Sequence, residues 1–209
     1  MRKPPIIIWF RQDLRLSDNP ALHAAGESGS PIIPLYILDD DNAQEWKRGA
    51  ASRVWLHHAL ASLNKDLSEN LVIQKGNASN LIPELIKKTG AKSIYWNRAY
   101  EPWRIERDKE IKANLEANNI DVQSFNGSLL WEPWTIKNQA GLPYKVFTPY
   151  YRKGCLQSLP PREPLPRPNQ LIYGKAEGLS LTLENLNLLP VKERQWDQAL
   201  VKNWVISES

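Results

Sequence analysis

Runs of apolar residues alternate with helically spaced apolar residues through the first two-thirds of the chain. Five short apolar runs predict buried β-strands over 5–10, 31–38, 71–76, 92–97 and 121–126. Between them, apolar residues recur at helical spacing and predict helices over 20–27, 48–67, 79–89 and 102–118. Ser17 or Asp18 is the predicted N-cap of the first helix, and Gly90 is the predicted C′ residue of the third.

This alternation predicts an α/β fold with a doubly wound, five-stranded parallel sheet of the Rossmann-like type. Right-handed crossovers would place helices on both faces of the sheet. Ligands of such sheets bind beyond the carboxyl ends of the strands. The residues that inform about function should therefore lie at those ends, over 11–13, 38–41, 76–77, 97–101 and 126–128.

The alternation stops after residue 127. Residues 160–170, PPREPLPRPNQ, contain five prolines and favour an extended backbone. Residues 171–209 show only weak apolar clusters, such as 179–189, and a helical tail that carries tryptophan. We therefore expect an α/β domain over 1–130 and an extended connector over 131–209 that leads to a domain outside this chain.

Composition narrows the class of protein only slightly. With 42% hydrophobic and 24% charged residues, the chain is typical of a soluble globular protein, and its net charge of +4 is compatible with nucleic acid without indicating it. Cys155 is the single cysteine, which excludes an internal disulfide and makes a reducing compartment, the cytoplasm, the simplest expectation. The apolar run near the N-terminus is too short for a signal peptide or a membrane span.

Familiar catalytic and phosphate-binding motifs are missing from the sequence. Neither G-x-G-x-x-G nor G-x-x-x-x-G-K-[ST] occurs. His23, His57 and His58 have no metal-ligand spacing with the lone cysteine. We therefore predict no metal site and no catalytic residue in this chain.

The first predicted strand ends in a charged turn, WFRQDLRLSDNPAL, over residues 9–22. In one interpretation Asp13 and Arg15 form local ion pairs that shape the turn before a capped helix. In the other, Arg11 and Gln12 face a ligand over the edge of the sheet. The residues by themselves leave both interpretations open.

The same stretch resembles the N-terminal signature of the DNA photolyase/cryptochrome family. The resemblance continues with RGAASRVWLHHALASLNKDL, YWNRAYEPWRIERD and GLPYKVFTPYYRK, in the family's order and spacing, over roughly residues 5–155. The last block is most similar to class I photolyases, which repair cyclobutane pyrimidine dimers. Four blocks in order are a specific signal, whereas one alone would be weak.

The resemblance implies a division of labour between two domains. In the family an N-terminal α/β domain can hold a light-harvesting antenna chromophore, and a larger helical domain binds FAD and DNA. Residues 1–130 would be the antenna domain, and 131–209 the start of the connector toward a helical FAD domain that this chain does not contain. Alone, the chain would carry no FAD and would be inactive.

Three functions are then open for the full-length protein. The first is a deoxyribodipyrimidine photolyase, a carbon–carbon lyase that uses blue light and FAD to repair UV-induced pyrimidine dimers in DNA. The second is a cryptochrome, a blue-light receptor of the same architecture. The third is a stand-alone nucleotide-binding α/β module, which belongs to a different class of protein. Under this hypothesis the order of the four blocks would be a coincidence.

The resemblance also implies a site for the antenna chromophore, which in this family is a flavin, a deazaflavin or a folate. The matching residues are Phe10, Tyr36, Ile37, Leu38, Arg53, Asn97 and Glu101. Arg53 would supply a positive charge, and Glu101 would accept a hydrogen bond. The alternatives are a surface ion pair for Arg53 and a carboxylate that complements a helix dipole for Glu101.

Two positions depart from the family's patterns. Trp103-Arg104 stands where common folate binders have Asn-Glu, which argues against that folate mode. Ala99 stands where some deazaflavin binders have an acid, which weakens that assignment.

Two further sets of apolar residues are expected to have structural roles rather than roles in electron transfer or catalysis. Four tryptophans are expected in the core or at interfaces rather than in electron transfer, namely Trp9, Trp55, Trp96 and Trp131. An apolar series in the connector predicts a surface that another domain covers, namely Leu129, Leu130, Trp131, Trp134, Val146 and Phe147.

Overall fold

The computed structural model of the chain describes residues 3–190 and 195–208. Five parallel strands form one sheet in the order β3-β2-β1-β4-β5. They are β1 (Ile6–Phe10), β2 (Ile32–Leu38), β3 (Val72–Lys75), β4 (Ser93–Asn97) and β5 (Asp121–Phe125). The strand order reverses between β1 and β4, so the predicted doubly wound α/β sheet is confirmed.

Helices cover both faces of the sheet. The helices of this domain are α1 (Pro20–Glu27), the short α2 (Asp40–Ala43), α3 (Ala50–Asp66), α4 (Ala78–Thr89) and α5 (Pro102–Ala117). Helices α1 and α3 pack on one face, and α4 and α5 pack on the other, each pair with its own apolar core. Strands β1 and β2 are wholly buried and are continuous apolar runs in the sequence, whereas the edge strands β3 and β5 are partly exposed.

The predicted N-cap of the first helix is wrong by one or two residues. Asn19 caps α1, because its side-chain oxygen accepts a hydrogen bond from the Leu22 N–H at 3.1 Å. Pro20 occupies the first helical position, which makes the residue before it the cap. The Asp18 carboxylate instead accepts from Arg162 and the backbone of Leu165, far along the chain.

The start of α4 also differs slightly from the prediction, while its end agrees with it. Helix α4 begins at Ala78, and the Asn77 side chain caps it by accepting from the Ser79 N–H at 2.8 Å. Gly90 follows the helix with a φ of 68°, a left-handed conformation that favours glycine, as predicted.

The segment after residue 130 contains only short helical pieces. They include α6 (Phe147–Pro149), which continues into a π-helical turn over Tyr150–Cys155, and α7 (Gln198–Asn203). The helices among residues 3–190 and 195–208 are all too short or too polar to cross a membrane.

Part of this connector lies back along the sheet. The backbone of Ile32 accepts from Gly174 at 2.8 Å and donates to Ile172 at 2.7 Å. Leu186 and Leu188 are 1% and 4% exposed and complete the core on the α1–α3 face. The connector therefore contributes to the core of the first domain, and the boundary near residue 130 stays a prediction.

Candidate functional site

The turn after β1 is fixed by buried amides rather than by ion pairs of Asp13. The Asp13 carboxylate accepts from the Arg11 backbone N–H at 3.0 Å and from the Asn97 side-chain amide at 2.6 Å. The same amide donates to Asn19 at 2.7 Å, and the Asn97 oxygen accepts from the Ala21 N–H at 3.1 Å. We call Asp13, Asn19 and Asn97 the amide cluster, which ties β4 to the β1–α1 turn.

Arg15 acts within this turn as a clamp on backbone carbonyls. Its guanidinium donates to the carbonyl oxygens of Ser17 at 3.1 Å, Asp18 at 2.9 Å and Gly127 at 2.7 Å. Gly127 itself packs so closely on Asn97 that an added Cβ would lie 2.6 Å from the Asn97 Cγ. The part of the turn made by Asp13 and Arg15 is therefore structural.

Arg11 turns away from the amide cluster toward α5. Its guanidinium pairs with Asp108, and the same carboxylate group pairs with Arg107 at 2.7 Å. Arg107 also reaches Asp39 at 3.1 Å, at the end of β2. Arg11 and Arg107 are only 5% and 7% exposed, so their ion pairs are buried. Removing one partner of such a pair leaves a buried charge without compensation and destabilises the fold.

Aromatic rings line this buried charge network. The guanidinium carbons of Arg11 and Arg107 lie 5.0 and 4.7 Å from the centroid of the Trp9 ring. Arg104 lies 4.8 Å from the ring of Trp103, and Arg107 lies 5.1 Å from it. A cation at this distance from an aromatic face is attracted to the ring. We call the network formed by Arg11, Arg104, Arg107, Asp39, Asp108 and Glu101 the arginine cluster.

Five buried donor atoms at this edge have no hydrogen-bond partner among residues 3–190 and 195–208. They are Trp9 Nε1, Arg11 Nε and Nη2, Tyr36 Oη and Arg104 Nε. All four residues line one small cavity of about 20 Å³, which Ile37, Asp39, Arg48, Trp103 and Arg107 complete. Burial raises the pKa of the Tyr36 phenol, so it stays protonated and remains a donor at neutral pH. We call this space the donor cavity.

A larger groove of about 750 Å³ opens beside the donor cavity. It runs between the β1–α1 turn, the first half of α3 and the tail over 200–208, and its walls include Gln12, Arg48, Trp55 and Ile206. The rings of Trp55 and Trp204 meet edge to face, with centroids 6.1 Å apart. We call this space the tail groove.

Glu208 fastens the tail over this groove. Its carboxylate accepts from the backbone N–H groups of Leu16 at 2.5 Å and Ser17 at 2.6 Å. Partial burial by itself would raise the pKa of Glu208, but these donors outweigh it and lower that pKa. The closed tail is therefore favoured by the ionised carboxylate.

The predicted chromophore residues are distributed over several of these features. Phe10, Ile37 and Leu38 are buried in the core at 0%, 6% and 1% exposure. Tyr36 and Ile37 meet at the donor cavity, whereas Asn97 belongs to the amide cluster with protein partners for its amide.

The two charged residues of the predicted set have protein partners as well. Arg53 pairs with Asp40 and donates to the Arg48 carbonyl at 2.9 Å. Glu101 accepts from Gln12 at 2.6 Å, and its carboxylate lies 3.6 Å from Arg104. Burial opposes ionisation of Glu101, but a backbone N–H, Arg104 and Gln12 together lower its pKa. The part that these residues take in chromophore binding stays a prediction.

Sequence reasoning missed the arginine cluster. Arg107 and Asp108 belong to a helix for which the sequence predicted no function. Asp39 lies in one of the five strand ends that were expected to inform about function. The available signal was the position of Asp39, since the carboxyl ends of parallel strands meet at one edge. The pairing of that carboxylate with a helix 68 residues later carries no local pattern.

Comparison with known proteins gives a consistent set of relatives. The sequence model of a family described as "DNA photolyase" matches residues 6–169. The chain is 39% identical to a deoxyribodipyrimidine photo-lyase of Agrobacterium fabrum, with 100% of this chain and 43% of that protein covered. It is 36% identical to cryptochrome-2 of Arabidopsis thaliana, with 95% of this chain and 33% of that protein covered.

Solved structures agree with these sequence matches. A bacterial class III photolyase from Agrobacterium tumefaciens superposes with a TM-score of 0.89 at 39% identity, covering 98% of this chain and 42% of that one. A Synechocystis cryptochrome superposes with a TM-score of 0.77 at 25% identity, covering 91% and 41%. The chain thus spans less than half the length of these relatives.

Proposed function

This chain belongs to the DNA photolyase family, and we propose that it serves as the light-harvesting N-terminal domain of a deoxyribodipyrimidine photolyase. The full-length protein would use blue light and FAD to split pyrimidine dimers in DNA. The observation that carries the proposal is the 39% identity to the Agrobacterium photolyase, which extends over 100% of this chain. The helical domain, outside this chain, would bind FAD and the damaged DNA.

Local chemistry supports this division of labour. The turn after β1 is closed by Asp13 and Arg15, so it does not form the glycine-rich cradle that holds a dinucleotide in many doubly wound folds. No cluster of His, Cys, Asp and Glu suited to a metal ion occurs in the part of the chain that the structure describes. On the basis of the family resemblance we assign the chain a role in absorbing light and passing on the energy, with the bond-breaking chemistry in the helical domain.

Exposed apolar residues in the connector support a neighbouring domain. Leu130, Trp134, Val146 and Phe147 are between 54% and 72% exposed. Together with Leu129 and Trp131 they form the apolar series that the sequence predicts to be covered. An exposed apolar surface of this kind is typical of an interface, and we expect the helical domain to cover it.

We assign the antenna chromophore to the carboxyl edge of the sheet. The tail groove at this edge has a volume of about 750 Å³, within the usual range for a small-molecule site, but none of the seven predicted chromophore residues is among those that line it. Arg53 and Glu101 would orient the chromophore by charge and by hydrogen bonding, with Tyr36 and Asn97 beside them. Phe10, Ile37 and Leu38 would form the apolar floor beneath the chromophore.

The chromophore assignment is tested by titration of the purified chain. Flavin mononucleotide, a 5-deazaflavin and a reduced folate are added separately, and the fluorescence of each is followed. In Arg53→Ala and Glu101→Ala the loss of a charge-assisted bond should weaken binding about ten- to a hundredfold. Arg98→Ala, which removes an ion pair with Glu132 near β5, is the matched control. Tight binding that neither site variant changes would put the chromophore elsewhere.

A cryptochrome is the second candidate function. The 36% identity to Arabidopsis cryptochrome-2 over 95% of this chain favours it specifically. The two candidates differ in the helical domain, so a repair assay with dimer-containing DNA on the full-length protein separates them. Repair under blue light supports the photolyase, and a light response without repair supports the cryptochrome.

A further inference from the structure

We propose that the donor cavity is an anion-binding site, which takes one oxygen atom of a carboxylate, phosphate or sulfate group. The site lies at the carboxyl edge between β1, β2 and the start of α5. It goes beyond the antenna function because an inorganic anion alone should bind there. Whether that anion is free or is the charged end of a larger ligand is decided by the experiment below.

The five donor atoms without a hydrogen-bond partner among the described residues belong to four residues that line the cavity, and one of them, Arg104 Nε, lies 3.6 Å from a carboxylate oxygen of Glu101. The nitrogens of Trp9, Arg11 and Arg104 have no acceptor capacity, and the protonated hydroxyl of Tyr36 is available to donate. Leaving such groups buried without an acceptor costs about 1–3 kcal/mol each. A protein that buries five of them in one place is therefore suited to a group that only accepts.

A water molecule is a poor match for these donors. It accepts two hydrogen bonds and must place its own two hydrogens, whereas an anionic oxygen accepts more and forms stronger, charge-assisted bonds. The cavity of about 20 Å³ has room for roughly one oxygen-sized group. One oxygen of an oxyanion would therefore enter the cavity, while the body of the anion stays outside.

The charges around the cavity also favour an anion. In the arginine cluster, the guanidinium groups of Arg11, Arg104 and Arg107 balance the carboxylates of Asp39, Asp108 and Glu101. Arg48 lines the cavity too and makes no ion pair within 3–190 and 195–208. The surroundings are thus left with one positive charge in excess. Burial lowers the pKa of Arg104, and repulsion from Arg48, Arg107 and Arg11 adds to this lowering against the opposing attraction of Glu101, so a bound anion would favour the charged guanidinium.

The position of the cavity explains how an anion could reach it. Phe10 pairs with Tyr36 and Trp9 pairs with Leu35, so Trp9 and Tyr36 point to opposite faces of the sheet. A cavity lined by both residues must lie over the carboxyl edge, where ligands of doubly wound sheets bind. Arg48 is only half-buried, so the outer part of the anion would lie toward this side chain.

The test is calorimetric titration of the full chain with inorganic phosphate and, separately, with sulfate, at constant ionic strength made up with sodium chloride. We expect saturable binding at one site per chain. Arg48→Gln should weaken it about ten- to a hundredfold and Tyr36→Phe about three- to tenfold. The controls are Arg98→Gln and Tyr95→Phe, whose side chains bond to Glu132 and Asp121 on the β4–β5 side of the sheet.

The outcomes are distinct. A response that rises linearly with salt, or that Tyr36→Phe and Tyr95→Phe alter equally, would overturn the proposal and leave the cavity to water. Arg48→Gln changes a half-buried side chain, so it keeps the test valid if Tyr36→Phe does not fold. When phosphate binds, competition with a chromophore identifies the anion as the charged end of that ligand, and independent binding identifies a free anion. Failure of the chromophore titration would leave phosphate binding untouched.

Discussion

The amide cluster and the arginine cluster lie at the same edge of the sheet and are built in opposite ways. In the amide cluster, Asn97 is 2% exposed, and its amide is bonded to Asp13, Asn19 and the Ala21 backbone. Beside the arginine cluster, the donor cavity is lined by four residues that carry five buried donors without a hydrogen-bond partner among the described residues. Arg11 links the two, since its backbone bonds Asp13 and its guanidinium lines the cavity.

This difference separates stability from binding. Buried polar groups in folded proteins nearly always have partners, and a fully paired network fixes one conformation. A concentration of unpaired donors is a local conflict of the kind that functional sites tolerate. We therefore expect substitutions in the amide cluster to lower the free energy of unfolding, and substitutions at the donor cavity to change anion binding.

The largest effect is expected for Asn97→Ala. It leaves the Asp13 carboxylate, Asn19 and the Ala21 N–H short of partners, so the free energy of unfolding should fall by about 3 kcal/mol or more. Urea denaturation measures this change. Asn118→Ala, which removes one exposed bond to the Asn114 carbonyl, is the matched control and should change stability by less than about 0.5 kcal/mol. Similar losses of stability in the two variants would contradict the claim that the amide cluster stabilises the fold more than an exposed hydrogen bond does.

A change of opposite sign is expected for Tyr36→Phe in buffer without a bound anion. It deletes a buried hydroxyl that has no partner among the described residues, so stability should stay constant or rise by about 1 kcal/mol. Thermal unfolding of the purified chain, dialysed free of phosphate and sulfate, measures the change. A clear loss of stability would mean that the hydroxyl has a structural partner, and the contrast between the two clusters would fail.

The smallest effect concerns the tail groove and its dependence on pH. Because the folded-state pKa of Glu208 is lowered, the carboxylate stabilises the closed tail above the ordinary glutamate value of 4.5, and this contribution is lost as the pH falls through the lowered pKa. Glu208→Gln should therefore open the tail at neutral pH and remove this acid dependence. Limited proteolysis of the tail between pH 7 and about pH 3 reports on the closed state. Equal cleavage of wild type and variant at every pH would contradict the role of Glu208.

The sequence predicted the strands of the α/β domain to within one or two residues. The central strands β1 and β2, buried on both faces, are unbroken apolar runs, and the partly exposed edge strands β3 and β5 carry a weaker signal. The predicted N-cap of α1 was wrong although Pro20 at the first helical position indicates Asn19, and the Asp18 carboxylate instead bonds Arg162 and Leu165 of the connector, 144 and 147 residues away. Such partners leave no trace in the local pattern.

The candidate site was harder to predict, because its residues also have partners that are distant in the sequence. Arg53 and Glu101 were placed from the resemblance to a family, and both have ion-pair partners within the chain. The donor cavity depends on Arg11 and Arg107 meeting carboxylates of distant elements, which only the fold brings together. The sequence pattern of α5 predicted a helix and did not indicate that Arg107 and Asp108 lie at the edge of the sheet.

Energy transfer in a chimeric enzyme tests the central claim most directly. This chain would replace the matching N-terminal part of the Agrobacterium photolyase, and repair of dimer-containing DNA would be measured across blue and near-ultraviolet wavelengths, with and without the chromophore selected by titration. The account predicts repair in both cases, with added efficiency at wavelengths that the chromophore absorbs. A folded, FAD-loaded chimera whose action spectrum is the same with and without every chromophore would contradict a light-harvesting role for this chain.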